Sequence, residues 1–339
     1  MNASSSQPSP DLFFETLTAY QKTAALKSAL DLNLFTALAD TPATSEQLAA
    51  KCNAAPRGMR ILCDYMTVNG FLAKSADQYS LTRDSAVFLN RKSPAYAGAA
   101  ADFLLSDELT GAFRQLTESV RKGGTALDSK GSTAPEHPMW LTFARVMGGL
   151  MVPASEGLAQ LLPLDSSRAT KILDISASHG TWGITLAKKN PKAQLVALDW
   201  APVLKMTEEN ARDAGLADRF STIAGSAFDV DFGNDYDVVL VPNFLHHFNI
   251  ADCIRLLKKV QAALRPGGRV AIVEFVPNAD RVTPPPSAGF SLVMLASTPE
   301  GDAYTFAEIA DMLAQAGFQK PTAHQLPASV NQALIAAKA

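Results

Sequence analysis

Apolar residues in the first quarter of the chain recur at the spacing of helices. Between residues 17 and 38 they follow one another every three or four positions, which predicts an amphipathic helix. A second helix is predicted at 45–51, with Thr44 as its N-cap. A third is predicted at 57–69, ending at Gly70.

A hairpin is predicted directly after these helices. Two short runs, 71–73 and 78–81, have the apolar and aromatic composition of strands and are separated by a polar turn. Three helices followed by a hairpin is the order of a winged helix, and we assign residues 11–95 to that domain. The Ser/Pro-rich residues 1–10 are predicted to be a disordered tail.

The middle of the chain is again helical in pattern, whereas the second half of the chain is not. Residues 96–165 are rich in Phe, Leu and Met and are interrupted at 122–138 by three glycines and two prolines, so we interpret them as a helical linker layer. From residue 166 to 339, short β-branched runs alternate with helical stretches. The five predicted strands lie at 171–175, 194–198, 220–224, 236–241 and 269–275.

This alternation predicts an α/β fold, a doubly wound and mostly parallel sheet with helices on both faces. Ligands of such sheets bind at the carboxyl ends of the strands. The first strand ends at Asp174 and continues into small residues up to Gly180, followed by a helix. The second ends at Asp199, whose carboxylate can accept hydrogen bonds from both hydroxyls of a ribose. The fourth runs into His246, and the fifth carries Glu274.

Composition narrows the class of protein. A chain of 339 residues is long enough for two domains. No apolar run reaches the ~20 residues of a membrane span, so no membrane partner is expected. The net charge of −3 without a long basic block gives no reason to expect a nucleic-acid partner. The three cysteines are scattered, which favours a reducing cytoplasm.

Over nearly all of residues 11–339, the chain resembles the plant caffeate and hydroxyindole O-methyltransferases and their bacterial relatives. The resemblance rests on five segments in matching order, and each of them alone is a weak signal. They are the glycine-rich loop at 173–180, the ribose-binding acid at 197–200, the adenine-binding turn at 224–228, the Leu-His-Asp-Trp-like segment at 245–248, and Glu274.

The resemblance implies a class I, Rossmann-like fold that binds S-adenosylmethionine, with the N-terminal winged helix acting as a dimerisation domain. The cofactor-binding residues it implies are Asp174, Ser176, Gly180, Asp199, Trp200, Ser226, Ala227, Phe228 and Asn243. It assigns His246 as the catalytic base, flanked by Glu274. No metal site is predicted.

Phe143, Met147 and Met151 fall on one face of a predicted helix. Such a stripe is core by default, but in the family this helix also contacts the acceptor. Both interpretations are kept, and the three residues are candidate substrate-binding residues.

The sequence departs from the family's pattern at several positions. Serines stand at 176 and 178, where glycine is usual, so Gly180 alone is expected to have full backbone freedom. Ser226 replaces the acid that receives the adenine amino group, and His247 replaces the aspartate after the base. The family's second glutamate is Ala303 here.

We therefore expect an S-adenosylmethionine-dependent O-methyltransferase of secondary metabolism that acts on a small aromatic or polyketide-like hydroxyl. C-, N- or S-methylation on the same fold is the main alternative. A dehydrogenase is a distant alternative, because Ser178 takes the place of the first glycine of a GxGxxG motif. A DNA-binding regulator that senses the cofactor is less favoured. The predicted helix at 57–69 carries only Arg57 and Arg60 among apolar residues, which fits a homodimer interface through the N-terminal domain better than a DNA groove.

Overall fold

The structure is a computed structural model that describes residues 7–128 and 130–339. Residues 1–6 of the predicted tail lie outside the described residues. By its internal contacts the chain forms two units, Met1–Ala101 and Asp102–Ala339. Among the described residues, no helix combines the length and apolar character that crossing a bilayer would require.

The first unit contains helices and a small antiparallel sheet of strand order β1-β3-β2. Its elements are α1 (Asp11–Asp31), α2 (Leu34–Ala37), β1 (Ala43–Thr44), α3 (Ser45–Lys51), α4 (Pro56–Val68), β2 (Leu72–Ser75), β3 (Gln78–Leu81) and α5 (Arg83–Phe88).

Local sequence signals place most of these elements. Helix α3 has the predicted bounds, and Thr44 caps it in a capping box with Gln47. The predicted hairpin is present as β2 and β3. The long predicted helix begins at Asp11, earlier than expected, and is interrupted before α2. Asn33 takes a left-handed conformation there, with φ 55°, which the helical spacing alone does not reveal.

The second unit contains helices, the first of which begins at the boundary residue Ala101, and then an alternating α/β domain. The helices are α6 (Ala101–Leu104), α7 (Asp107–Arg114), α8 (Leu116–Lys122) and α9 (Met139–Leu161). The alternating part comprises β4 (Thr170–Ile175), α10 (Thr181–Ala187), β5 (Ala193–Asp199), α11 (Ala201–Asp213), β6 (Phe220–Ala224), β7 (Tyr236–Pro242), α12 (Ile250–Ala263), β8 (Leu264–Glu274), α13 (Pro285–Ser297), α14 (Phe306–Gln315), β9 (Thr322–Gln325) and β10 (Gln332–Ala337). Short 3₁₀ turns lie at Gly98–Ala100, Gly131–Thr133, Ala217–Arg219 and Leu245–His247.

The seven-stranded sheet has the order β6-β5-β4-β7-β8-β10-β9. Its first five strands are parallel, and β10 pairs antiparallel with both of its neighbours, β8 and β9. Buried apolar clusters cover both faces, as a doubly wound sheet requires. The predicted fold class is confirmed. The order reverses between β4 and β7, so the carboxyl ends of β4, β5 and β7 meet where such sheets bind ligands.

Candidate cofactor and catalytic site

The loop between β4 and α10 is built from left-handed residues. Ser176, Ser178 and Gly180 have φ values of 56°, 52° and 78°. Both serines therefore adopt the conformation that glycine takes without strain, at a cost of about 1–2 kcal/mol each. A strained backbone of this kind is held in place by its surroundings and is common at ligand sites.

Asp174, in β4, fixes the start of the helix that follows this loop. The side chain is fully buried, and Oδ2 accepts a hydrogen bond from the Gly183 amide at 2.8 Å. A Cβ on Gly183 would lie 2.7 Å from the same oxygen, so the contact needs glycine. Burial, with a further contribution from negative Asp199, raises the pKa of Asp174 well above its usual range. The other oxygen, Oδ1, is enclosed and has no hydrogen-bond partner among the described residues.

Asp199 lies beside the same loop at the end of β5. Its Oδ2 accepts a hydrogen bond from the Ser178 amide at 2.8 Å, and Oδ1 accepts one from the Trp200 amide at 2.7 Å. Burial raises the pKa of Asp199 to about 6, opposed by these two amides. Each carboxylate oxygen keeps a second lone pair, so two ligand hydroxyls can still bind. Trp200 follows at the start of α11 and is partly exposed.

The turn after β6 adjoins Asp199. The Gly225 amide donates to the Asp199 carbonyl at 3.0 Å, and Ser226 Oγ accepts from the Phe228 amide at 3.2 Å. Ala227 is buried, whereas Phe228 is partly buried. The structure thus brings the loop, the ribose-binding candidate and the adenine-turn candidates together at one edge of the sheet.

Lys259 of α12 holds this turn and was not singled out from the sequence. Its ammonium donates at 2.9 Å to each of three backbone carbonyls of the turn, those of Ala227, Phe228 and Val230. It also lies 4.6 Å from the centroid of the Phe232 ring. The signal that could have found it is a lysine adjoining the apolar stripe of a helix, between Leu256 and Val260.

The candidate base is held by one buried carboxylate. His246 lies in the turn after β7, and Glu274 ends the neighbouring strand β8. His246 Nδ1 is 2.6 Å from Glu274 Oε2, and both side chains are almost completely buried. Oε1 of the same glutamate accepts from the amides of Phe244 at 3.0 Å and His246 at 3.3 Å.

Asn243 shapes the start of this turn with a left-handed backbone, φ 52°. Its amide donates to the Val273 carbonyl at 2.7 Å, and its side-chain oxygen accepts from Asn331 at 3.1 Å. On the far side, a Cβ on Gly301 would lie 2.2 Å from the His246 carbonyl oxygen, so the segment before the buried Ala303 packs directly on the turn.

A row of aromatic rings lies along the site. Phe143 of α9 stacks on His179 of the cofactor loop, with centroids 6.2 Å apart. Trp140, one turn earlier, meets His247 edge-on at 5.1 Å. The rings of His247 and His246 are 4.2 Å apart. Helix α9 therefore contacts both the cofactor loop and the turn that carries the candidate base.

The other two members of the α9 stripe differ from Phe143. Met147 and Met151 are partly buried, and Met151 packs against the core cluster that covers one face of the sheet. Phe143, by contrast, stacks on a residue of the cofactor loop. Trp140 and His179 were missed from the sequence. The only available signal was an aromatic residue one turn before Phe143 and a histidine inside a loop of small residues.

His247 is enclosed beside the candidate base. Its Nδ1 is buried, and no residue in the described part of the chain forms a hydrogen bond with it. Burial, together with the neighbouring His246, lowers the pKa of His247 well below its usual range. The ring is therefore neutral at neutral pH.

Two family models and a solved structure match this chain. The O-methyltransferase domain model matches residues 154–319, and the O-methyltransferase dimerisation domain model matches residues 14–91. A solved structure of a putative O-methyltransferase from Nostoc punctiforme is 52% identical and superimposes with a TM-score of 0.95, covering 98% of this chain and 100% of that one. The chain belongs to the O-methyltransferase family.

Two curated relatives of this methyltransferase cover most of its length. The tetracenomycin polyketide synthesis 8-O-methyltransferase of Streptomyces glaucescens is 28% identical, over 91% of each chain. The L-tyrosine C(3)-methyltransferase of Streptomyces lavendulae is also 28% identical, over 88% of this chain and 83% of the relative.

S-adenosylmethionine is the methyl donor of this family and the cofactor of this chain. The residues present fit it. Asp199 has lone pairs left for two ribose hydroxyls, and the small side chains at residues 176–178, with Gly180, let a ligand approach the loop backbone closely. Ser178 Oγ is an enclosed polar atom without a protein partner at the same place.

Proposed function

We propose that this methyltransferase transfers a methyl group to the hydroxyl of a small aromatic or polyketide-like acceptor, with His246 as the general base. The observation that carries the proposal is the 2.6 Å contact between His246 Nδ1 and Glu274 Oε2. A carboxylate accepts a hydrogen bond from Nδ1–H and orients the ring, which leaves the Nε2 lone pair of the neutral imidazole available to the acceptor hydroxyl.

In this proposal, some of the residues bind the cofactor and His246 removes the proton. Bound S-adenosylmethionine supplies a methyl carbon made electrophilic by the sulfonium. Asp199 binds the ribose hydroxyls, and the turn of Ser226, Ala227 and Phe228 adjoins the adenine. His246 removes the hydroxyl proton as the acceptor oxygen attacks. A phenol with a pKa of about 10 is mostly protonated at neutral pH, so a base contributes roughly 10²–10⁴ in rate.

Two features support an aromatic acceptor. The ring row of Phe143, Trp140 and His247 offers flat, partly apolar surfaces of the kind on which planar ligands pack. A relative that covers nine tenths of the chain is named for the O-methylation of a polyketide.

The test is methyl transfer from isotopically labelled S-adenosylmethionine to a panel of phenols, naphthols, hydroxyquinones and indoles, followed by mass spectrometry. We expect one labelled methyl ether on at least one hydroxylated aromatic compound, and loss of that product in His246→Ala. Absence of transfer to every hydroxyl acceptor, with S-adenosylhomocysteine still bound, would refute the acceptor class.

C-methylation of a phenol ring is the second candidate. It is favoured by the similarity to the L-tyrosine C(3)-methyltransferase, which is as close in identity as the O-methylating relative. The same screen separates the two, because a C-methylated product resists ether cleavage by boron tribromide and a methyl ether does not.

We also propose a homodimer formed through the N-terminal unit, supported by the match to the dimerisation domain over residues 14–91. The three cysteines are free, which is consistent with a reducing cytoplasm as the compartment we propose.

A further inference from the structure

His179 lies in the cofactor loop, and a hydrogen bond to its ring determines which of the two ring nitrogens carries the proton. The Thr181 amide donates a hydrogen bond to His179 Nδ1 at 3.1 Å. A nitrogen that accepts a hydrogen bond carries no proton, so the proton of the neutral ring is on Nε2. Among the described residues Nε2 has no hydrogen-bond partner.

The ring is also fixed in orientation and charge. It stacks on Phe143 with an interplanar angle of 21°, and a Cβ on Gly148 would lie 3.1 Å from its Cβ and Cγ. Helix α9 therefore leaves it little room to turn. The side chain is 3% exposed, and burial lowers the pKa of His179 to about 4. At neutral pH the loop thus presents one neutral N–H donor without a protein acceptor.

The strand order indicates which part of the cofactor faces this donor. Neighbouring strands are about 4.8 Å apart, and β6, β5, β4 and β7 lie side by side in that order. The proposed adenine turn follows β6, the ribose-binding Asp199 ends β5, and His246 follows β7. The β4 loop lies between the last two. An S-adenosylmethionine with its adenine at the β6 turn and its ribose at Asp199 would have its sulfur and amino-acid end opposite this loop.

The amino-acid end offers His179 one suitable group. The sulfonium and the ammonium are positive and cannot accept a hydrogen bond, whereas the carboxylate accepts up to four. A neutral donor serves the carboxylate without placing a further positive charge beside the sulfonium.

We propose that His179 donates its Nε2–H to the carboxylate of the cofactor's amino-acid end and so selects ligands that carry it. This inference rests on the proposed cofactor site. Loss of a hydrogen bond to a charged group weakens binding roughly 10- to 100-fold.

Two substitutions separate the two ring nitrogens. In His179→Asn, the side-chain oxygen can still accept from the Thr181 amide, but the donor at the Nε2 position is gone. In His179→Gln, the amide nitrogen reaches the Nε2 position, but the acceptor at Nδ1 is gone. His137→Asn is the matched control, because His137 Nδ1 also accepts from the amide two residues ahead, that of Met139.

The measurement is calorimetric titration of each full-length variant with S-adenosylhomocysteine and with its decarboxylated analogue. We expect His179→Asn to bind S-adenosylhomocysteine roughly 10- to 100-fold more weakly and the analogue about as well as the wild type does. His179→Gln should retain most of the wild-type preference, and His137→Asn all of it.

Two results would overturn the inference. If His179→Asn bound both ligands equally weakly, His179 would act only through the shape of the loop. The same would follow if His179→Gln lost affinity for S-adenosylhomocysteine and His179→Asn kept it. If the wild type binds neither ligand, the proposed cofactor site itself fails, which is a different outcome from a failure of His179 alone.

Discussion

At the scale of single residues, Glu274 accepts three hydrogen bonds, and their arrangement assigns the proton on the candidate base. Oε1 accepts from the amides of Phe244 and His246, and Oε2 faces His246 Nδ1. The two amides can only donate, so Oε1 must accept. A carboxylate oxygen accepts and does not donate, so Nδ1 carries the proton, and in the neutral ring Nε2 has the free lone pair.

Glu274→Gln should therefore disable the base although it is nearly isosteric. A glutamine has one oxygen, which must face the two backbone amides, and its NH₂ group then faces His246 Nδ1. That forces Nδ1 to accept and moves the ring proton to Nε2, the tautomer that cannot take a proton from the acceptor. We expect kcat to fall by about 10²–10⁴, as for His246→Ala, measured with the acceptor found in the labelled-methyl screen.

The control for Glu274→Gln is cofactor affinity. Because no candidate cofactor group of the β4 loop contacts Glu274, calorimetric binding of S-adenosylhomocysteine should stay within about twofold of the wild type. A variant that keeps a quarter or more of the wild-type kcat would contradict the assigned tautomer and the role of His246 as base.

Asp199 predicts how cofactor binding depends on pH. Its pKa of about 6 means that the carboxyl is increasingly protonated as the pH falls through 6. The protonated form has lost an acceptor position for the ribose hydroxyls. Affinity for S-adenosylhomocysteine should therefore be constant from pH 7 to 8 and fall by up to about tenfold per pH unit below 6. Calorimetry at a series of pH values measures this.

Asp199→Asn tests whether that dependence belongs to this residue. Asparagine cannot accept both the Ser178 and Trp200 amides, so the variant should bind weakly at every pH and without the fall below pH 6. If the fall persists in the variant, the titrating group is another one, for which the buried Asp174 is the nearest candidate.

At the scale of elements, local sequence patterns predicted the bounds of some helices and strands. The elements that depend on long-range packing were not predicted. Helix α3 with its Thr44 cap and strand β6 have the predicted bounds, because capping and apolar runs are local signals. The antiparallel strands β9 and β10 were not predicted. Three of the four residues of β9 are exposed, so its sequence has no apolar run to mark it.

The candidate site was predictable to a similar degree. The sequence resemblance brought His246 and Glu274 together, and their contact is present. The left-handed serines, the Lys259 contacts and the stacking of Phe143 on His179 could not be predicted, because each depends on residues distant in sequence. The roles of these residues remain predictions for the experiments described here.

The strained β4–α10 loop predicts that Ser178→Gly stabilises the protein. Glycine adopts the observed φ of 52° without strain, and the change removes a hydroxyl that is enclosed without a partner. These gains exceed the entropy cost of glycine, about 0.5–1 kcal/mol. We expect the free energy of unfolding, measured in urea without ligand, to rise by about 1–2 kcal/mol.

Ser176→Gly is the matched control for this effect. Ser176 has the same left-handed conformation, with φ 56°, but its hydroxyl is not among the enclosed atoms without a partner. Its gain should be roughly 0–1 kcal/mol, because relief of strain alone only slightly exceeds the entropy cost. A destabilised Ser178→Gly variant would show that the hydroxyl supports the loop.

At the scale of the whole molecule, the first helix exposes more apolar surface than a solvated helix retains without a partner. Five large side chains within ten residues are each more than half exposed: Leu12, Phe13, Phe14, Leu17 and Tyr20. Phe13, Leu17 and Tyr20 lie on one face of α1, at the spacing of successive helical turns. Contiguous apolar surface of this kind marks an interaction site, and residues 14–91 match a dimerisation domain.

Charged residues introduced on this face of α1 should dissociate the proposed dimer. Each large apolar side chain contributes about 1.5–3 kcal/mol when it is fully buried, and a buried aspartate without a partner opposes association further. We expect the double substitution Phe13→Asp, Leu17→Asp to scatter light as a 36.1 kDa monomer and the wild type at twice that mass. Val282→Asp, an equally exposed apolar position in the second unit, should remain dimeric.

Because the proposed cofactor residues all lie in the second unit, the monomer should still bind S-adenosylhomocysteine, which would show that it is folded. A double variant that stays dimeric would place the interface elsewhere on the N-terminal unit, and a wild type that is monomeric at micromolar concentration would rule out the dimer itself.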